Sequence, residues 1–151
     1  MAQDLNFYLS ALNAAKEGLQ EGGIPIGAAL VIDGKVIATG CNQRVQKGSA
    51  IHHGETNCIE NAGRLKAQDY KRATLYTTLS PCAMCAGTIL LYGIPKVVIG
   101  ENHNFMGEEE LLKSRGVESV VLNHKETQDM MANFIAKNPT LWNEDIGEVD
   151  Y

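Results

Sequence analysis

The sequence predicts an α/β fold of three layers, with helices on both faces of a five-stranded mixed sheet. Three observations predict it. Short apolar runs alternate with helical segments along most of the chain. The first two runs are joined by Asp33-Gly34, a strong two-residue hairpin signal, so the sheet begins antiparallel. The later runs are each separated by a helical segment, which calls for parallel crossovers.

The elements follow in order. Leu5, Tyr8, Leu9, Leu12, Ala15 and Leu19 recur at helical spacing, with Asp4 as the expected N-cap and Gly22-Gly23 as the stop. Ile26 to Ile32 reads as a buried strand and Val36 to Gly40 as its returning partner. A polar loop from Asn42 to Ser49 leads to a helix over 53–65. Ala73 to Thr78 is a strand with a tyrosine and two threonines. The helix over 82–92 is expected to open at Pro81, since proline suits the first helical position. Lys96 to Gly100 is a strand, Glu108 to Ser114 a helix, Ser119 to Leu122 the fifth strand and Lys125 to Lys137 a helix. The tail from Pro139 to Tyr151 reads as acidic and irregular.

Length and composition bound the function. The 151 residues suit one domain able to bury its own core, with 44% hydrophobic and 21% charged residues. Thirteen basic against eighteen acidic side chains leave a net charge of −5, which disfavours nucleic acid as a partner. A small neutral substrate meets no such obstacle. Residues 73–95 carry no charge, but Ser80-Pro81 and Gly93-Ile94-Pro95 interrupt them, so no membrane span is expected. The start of the sequence lacks a basic segment followed by an apolar run, so a cytoplasmic location is expected. There the cysteines at 41, 58, 82 and 85 stay reduced, which favours metal binding over disulfides.

Two short motifs carry the chemistry. His53-Gly54-Glu55 starts one helix and Pro81-Cys82-Ala83-Met84-Cys85 the next. Cys82 and Cys85 stand at i and i+3, so both thiols face one side of a helix start, where the dipole favours thiolate. His53 adds an imidazole. Three protein ligands with an open fourth position describe a catalytic zinc site, with water in that position. Glu55 lies two residues beyond His53 and points elsewhere on the helix. It is expected to act on the water rather than bind the ion. Two thiolates neutralise the Zn²⁺ charge, so a carboxylate base complements a weakened Lewis acid.

These motifs match the zinc deaminase pattern H-x-E and P-C-x-x-C. They resemble the cytidine/deoxycytidylate deaminase superfamily. The resemblance to its fungal cytosine deaminase branch is wider, running from about Gly22 to Glu148. It includes Gly23-Ile24-Pro25-Ile26-Gly27, residues 42–50, residues 75–82, Tyr92-Gly93-Ile94-Pro95, Gly100-Glu101-Asn102 and residues 142–148. The chain departs from that branch at Ala83, His52 and Val45. The resemblance implies one zinc per chain on His53, Cys82 and Cys85, and a homodimer in the cytoplasm. It implies that Glu55 shuttles protons between the zinc-bound water, ring N3 and the leaving amine. Asn42 and the Gly54 N–H are expected to hold the pyrimidine O2. The Ser80 carbonyl and Asp145 are expected to receive the amine, and Phe105 and Trp142 to cover the base. Residues 139–151 are expected to form a lid on the single domain, 1–151. The implied reaction is hydrolytic deamination of a free nucleobase, cytosine to uracil and ammonia, and that chemistry suits pyrimidine salvage. Isocytosine, guanine or triazine deamination, tRNA adenosine deamination and a structural zinc module are the alternatives.

Plainer readings stand beside these. Cys82 and Cys85 alone would suit a redox pair, and Cys41 or Cys58 would close a structural zinc site. Cys41 and Cys58 are most simply core thiols. His52, His103 and His124 read as surface or locally bonded histidines. Phe105, Trp142, Met130 and Met131 read as core, and Glu108-Glu109-Glu110 as a solvated helix start. Asp145 alone is one acid among several on a solvated tail.

Overall fold

A continuous apolar strand tends to lie inside a sheet, covered on both faces. In the computed structural model, which describes residues 2–148, that strand is β1 (Gly27–Ile32), buried at every position. Asp33 and Gly34, at φ 52 and 75, turn the chain back into β2 (Lys35–Cys41). β1 also pairs antiparallel with β3 (Ala73–Leu79). β4 (Lys96–Glu101) and β5 (Glu118–Val121) then add in parallel, giving the order β2-β1-β3-β4-β5.

Helices cover both faces. α1 (Ala2–Gln20) packs Tyr8, Ala11 and Leu12 on Ala29, Val31, Tyr76 and Val98. The alternate strand residues Ala28, Leu30, Leu75, Val97 and Ile99 face the other way. There they meet Cys58 of α3 (Gly54–Ala62), Ala86 and Ile89 of α5 (Ala83–Tyr92) and Leu112 of α6 (Glu109–Ser114). α3 lies so near β2 that a Cβ on Gly40 would stand 2.4 Å from the Cys58 nitrogen. Two short helices, α2 (Arg44–Lys47) and α4 (Ala67–Tyr70), fill the connections on either side of α3.

The last two helices, α7 (Lys125–Lys137) and α8 (Pro139–Asp145), close the sheet edge where β3 ends. Met131, Phe134 and Trp142 pack there with Ile24, Ile26 and Leu79. No helix among the described residues is long and apolar enough to cross a membrane.

The layers, the hairpin and the five strands stand where the sequence puts them, within one or two residues at most ends. Five local expectations fail, the first being the polar loop from Asn42 to Ser49, which contains the one-turn helix α2. Asp4 sits inside α1 rather than capping it. Its carboxylate instead accepts from Tyr76 Oη at 2.7 Å and Lys96 Nζ at 3.0 Å, so long-range partners outcompete the local cap. Pro81 precedes Cys82, which is the cap of α5, so Ala83 is the first helical residue. The helix expected over 53–65 ends at Ala62, and α4 follows, with the Lys66 N–H bonded to Asp69 Oδ2 at 3.0 Å. The tail is not irregular: α8 occupies 139–145, and the expected lid residues 149–151 lie outside the described residues.

Candidate active site

The site forms where two helix starts meet the end of β3. His53 caps α3 with extended backbone, and its N–H donates to Thr56 Oγ1 at 2.9 Å. Cys82 caps α5 in the same manner, its carbonyl accepting from the Ala86 N–H at 2.8 Å. Cys85 is the third residue of α5. His53 Nδ1 lies 3.4 Å from Cys82 Sγ and 3.8 Å from Cys85 Sγ. All three donor atoms lie within 4.8 Å of one another. Tetrahedral zinc with Zn–S about 2.3 Å and Zn–N about 2.0 Å separates such ligand atoms by about 3.6 Å. The donor set therefore fits zinc in both chemistry and spacing.

Local electrostatics couple the protonation of the ligands, and only Cys82 is driven toward the metal-binding thiolate. Hydrogen bonding from Cys85 holds Cys82 down to about 4, against its burial and with the help of His53. Cys85 is pushed well above the usual thiol range by the neighbouring Cys82 and by burial. Burial presses His53 down, but its bond to Cys82 and the charges of Asp145 and Glu55 win, raising it to about 9. Burial, aided by the Cys82 charge, lifts Glu55 to about 7. A bound divalent cation would replace these pairings with its own charge.

The far side of the imidazole is also engaged. His53 Nε2 lies 3.3 Å from Asp145 Oδ1, the arrangement that leaves Nδ1 free for a metal. The same Oδ1 accepts from Asn42 Nδ2 at 2.8 Å, and Arg44 Nε stands 3.8 Å away. Burial raises the Asp145 carboxyl, while His53, Asn42 and Arg44 pull it back. Asn42 is itself pinned. Its N–H donates to the Ile26 carbonyl at 2.9 Å, and its Oδ1 accepts the Arg44 N–H at 3.0 Å.

A small cavity is lined by Ile26, His53, Glu55, Leu79, Ser80, Cys82, Phe105, Asp145 and Ile146. Six of the ten sequence-derived site residues thus meet in one place. Cys85 and Asn42 join them through His53 and Asp145. Gly54 is buried between His53 and Glu55 at the start of α3. Trp142 backs the wall, its ring edge-on to Phe105 at 6.1 Å.

Several plainer readings are decided here. Cys58 is buried in the main core and Cys41 bonds Gln43, so neither joins the metal-ligand cluster. His103 is exposed, and His124 bonds Thr127 at 2.8 Å. Met131 is core, and Met130 is partly buried against the separate cluster around Tyr8. Asp145 is buried at 7% exposure, not solvated. The helix start at Glu108-Glu109-Glu110 is not wholly solvated either. Glu109 is 6% exposed and accepts the Ser80 hydroxyl at 2.7 Å. No periodicity signals that contact, because its partner lies 29 residues away. Arg44, Ile26 and Ile146 were also missed.

Comparison with known proteins agrees with the geometry. Residues 1–101 match the family model for the cytidine and deoxycytidylate deaminase zinc-binding region. A cytosine deaminase of Candida albicans is 57% identical over 139 residues, 91% of this chain and 93% of that protein. A tRNA-specific adenosine deaminase of Bacillus subtilis is 42% identical over 66% of this chain and 63% of its own. Among solved structures, a chain from studies of A-to-I editing by tRNA:A34 deaminases is 27% identical. It has a TM-score of 0.70 over 83% of this chain and 99% of that one. The guanine deaminase from Nitrosomonas europaea shares the fold, at 19% identity and a TM-score of 0.71, covering 86% of this chain and 83% of that one. With His53, Cys82 and Cys85 gathered for one ion, this chain belongs to the zinc-binding cytidine and deoxycytidylate deaminase family.

Proposed function

We propose that the protein hydrolyses free cytosine to uracil and ammonia. The observation that carries this is a metal-ligand cluster and a buried carboxylate, Glu55, on the wall of one small cavity. The 57% identity to a cytosine deaminase chooses the base. When bound by His53, Cys82 and Cys85, zinc lowers the pKa of a water in its open position.

The chain's own groups supply the rest. Glu55 takes a proton from the attacking water and delivers it to ring N3; it then takes the hydroxyl proton of the C4 adduct and passes it to the amine, so that the C4–N bond breaks, ammonia leaves and the C4 carbonyl forms. Burial raises its proton affinity above the usual carboxylate range, which suits a group that must both accept and donate a proton. Asn42 Nδ2 and the Gly54 N–H donate to O2. The exocyclic amine donates to the Ser80 carbonyl and to Asp145 Oδ2, the oxygen not engaged by Asn42 or His53. An acceptor there rejects a carbonyl by lone-pair repulsion, which favours release of uracil. Phe105, backed by Trp142, covers the ring, and α8 with the residues after it serves as the lid.

The net charge of −5 favours a free base over RNA. The test is ammonia release from zinc-loaded protein given cytosine, with Glu55→Ala as control. Turnover that the control loses supports the reading. Turnover of isocytosine, guanine or a triazine, but not cytosine, would replace the substrate. Turnover only of adenosine in tRNA would move the protein to the tRNA deaminase activity.

The reading extends to a cytoplasmic homodimer serving pyrimidine salvage. A surface groove runs between α3 and α5 and includes Ile51, Leu91 and Tyr92. Ile51 is 63% and Leu91 75% exposed, a face suited to a second copy. Leu91→Glu should yield a monomer by light scattering, and an unchanged mass would discard this face. A fluorescent fusion should spread through the cytoplasm, where the four thiols stay reduced, and enrichment in an oxidising compartment would discard that location.

A further inference from the structure

We infer that Glu109 is a positioning residue for the amine-binding side of the pocket. The inference rests on the proposed role of the Ser80 carbonyl. Glu109 is a buried carboxylate that the chemistry leaves unused, and among the described residues it has no Lys, Arg or His partner within 4.0 Å. Burial of such a group is costly unless hydrogen bonds repay it. Its bonds run to the site. Oε2 accepts the Ser80 hydroxyl at 2.7 Å, and Oε1 faces Asn102 Nδ2 at 3.4 Å.

Ser80 is thereby held at three points. Its N–H donates to the Glu101 carbonyl at 3.1 Å, its hydroxyl donates to Glu109, and that hydroxyl oxygen accepts the Gly107 N–H at 2.9 Å. The Glu108 N–H donates to the Pro81 carbonyl at 2.9 Å. A Cβ at residue 107 would stand 1.9 Å from that same Pro81 oxygen, so only glycine allows the loop to lie so close. Two segments are thus clamped together. One, Ser80-Pro81-Cys82, carries the amine acceptor and a metal ligand. The other, residues 102–108, carries Phe105. Glu109 orients the serine hydroxyl: with the carboxylate as acceptor, the Ser80 oxygen presents a lone pair to Gly107. This carboxylate helps to set the Ser80 carbonyl and the Phe105 ring, an edge and a face of the bound base, relative to each other, beside the backbone bonds of Gly107 and Glu108.

The test compares Glu109→Ala, Glu109→Gln and Ser80→Ala with the unsubstituted zinc-loaded protein. Glu109→Ala should raise KM for cytosine about tenfold while kcat falls less than about threefold, with zinc content unchanged. Glu109→Gln, which keeps an acceptor, should recover most of the loss. Ser80→Ala should match Glu109→Ala, and the double variant should add little to either. A substrate-free readout runs beside these. Trp142 is the only tryptophan, and it touches Phe105 edge-on. Its fluorescence should become more accessible to acrylamide in Glu109→Ala and recover in Glu109→Gln. A KM within twofold of the unsubstituted value, fully additive effects, or unchanged quenching would each overturn the inference. If the unsubstituted protein leaves cytosine untouched, the substrate assignment fails. Quenching of Trp142 then still decides the clamp.

Discussion

Two regions of the sheet differ sharply in what they bury. Between the sheet and α3, α5 and α6, the core is built from Leu30, Leu75, Val97, Ile99, Ile89 and Leu112, with no charged side chain among its members. At the edge where β3 ends, His53, Glu55, Glu101, Glu109 and Asp145 are all buried. Each charged group taken out of water costs free energy that its partners only partly return. The first region therefore supplies stability and the second spends it on chemistry. A protein that separates the two should allow each to be damaged without the other.

Glu55→Ala is the strongest way to test that separation. It should lower kcat by about three orders of magnitude or more, since positioned acid–base groups contribute about 10²–10⁴. Zinc content should persist, and Tm should stay level or rise, because the replacement removes a buried carboxylate. Calorimetry beside the turnover assay checks this, and a large fall in Tm would merge the two regions.

Leu30→Ala is the converse. Leu30 is fully buried on the apolar side, so its truncation should cost about 2–5 kcal/mol in denaturant unfolding. At 25 °C the folded fraction should keep its kcat. Gly40→Ala comes next, at roughly 1–3 kcal/mol, because its Cβ would press on the backbone of α3 at Cys58. Since α3 begins at His53, this variant sharpens the comparison. Weaker zinc binding in a chelator titration would mean that the seat of α3 on β2 also sets the ligand.

The smallest effect concerns Asp4, remote from both regions. Bonds from Tyr76 and Lys96 outweigh its partial burial and hold its carboxyl below the usual 3.8. A lowered folded value stabilises at pH above 3.8, and that contribution fades as pH falls through the lowered value. Asp4→Asn should therefore cost roughly 0.5–1 kcal/mol at pH 7, with the difference shrinking as pH falls below 3.8. A constant difference across that range would show that the carboxylate's charge is irrelevant.

Legibility in the sequence followed the same divide. The sheet was readable because its signals are local: six apolar residues for β1 and Asp33-Gly34 for the hairpin. The metal ligands were readable because two of them share one helix start. Asp4 was misread as a cap because its real partners lie 72 and 92 residues away. α8 was missed because seven residues with no buried stripe beyond Trp142 and Asp145 carry little periodicity. Glu109 was hidden in a run of three glutamates, two of them exposed, where only the fold shows which one turns inward. Asn42, Ser80 and Asp145 entered through resemblance. Their arrangement in space, Ser80 and Asp145 on one cavity wall with Asn42 bonded to Asp145, has no counterpart in their spacing.

The hydrogen bond between Asn42 and Asp145 joins residues 103 positions apart. A chain emerging from the ribosome can form the hairpin, α3 and the start of α5 long before Asp145 exists. His53, Cys82 and Cys85 are then ready for the ion while the acid that bonds the imidazole is still unmade. Closing so long a loop is slow but adds little entropy cost per further residue. The metal ligands and the acid that completes the pocket wall thus come from parts of the chain made at different times.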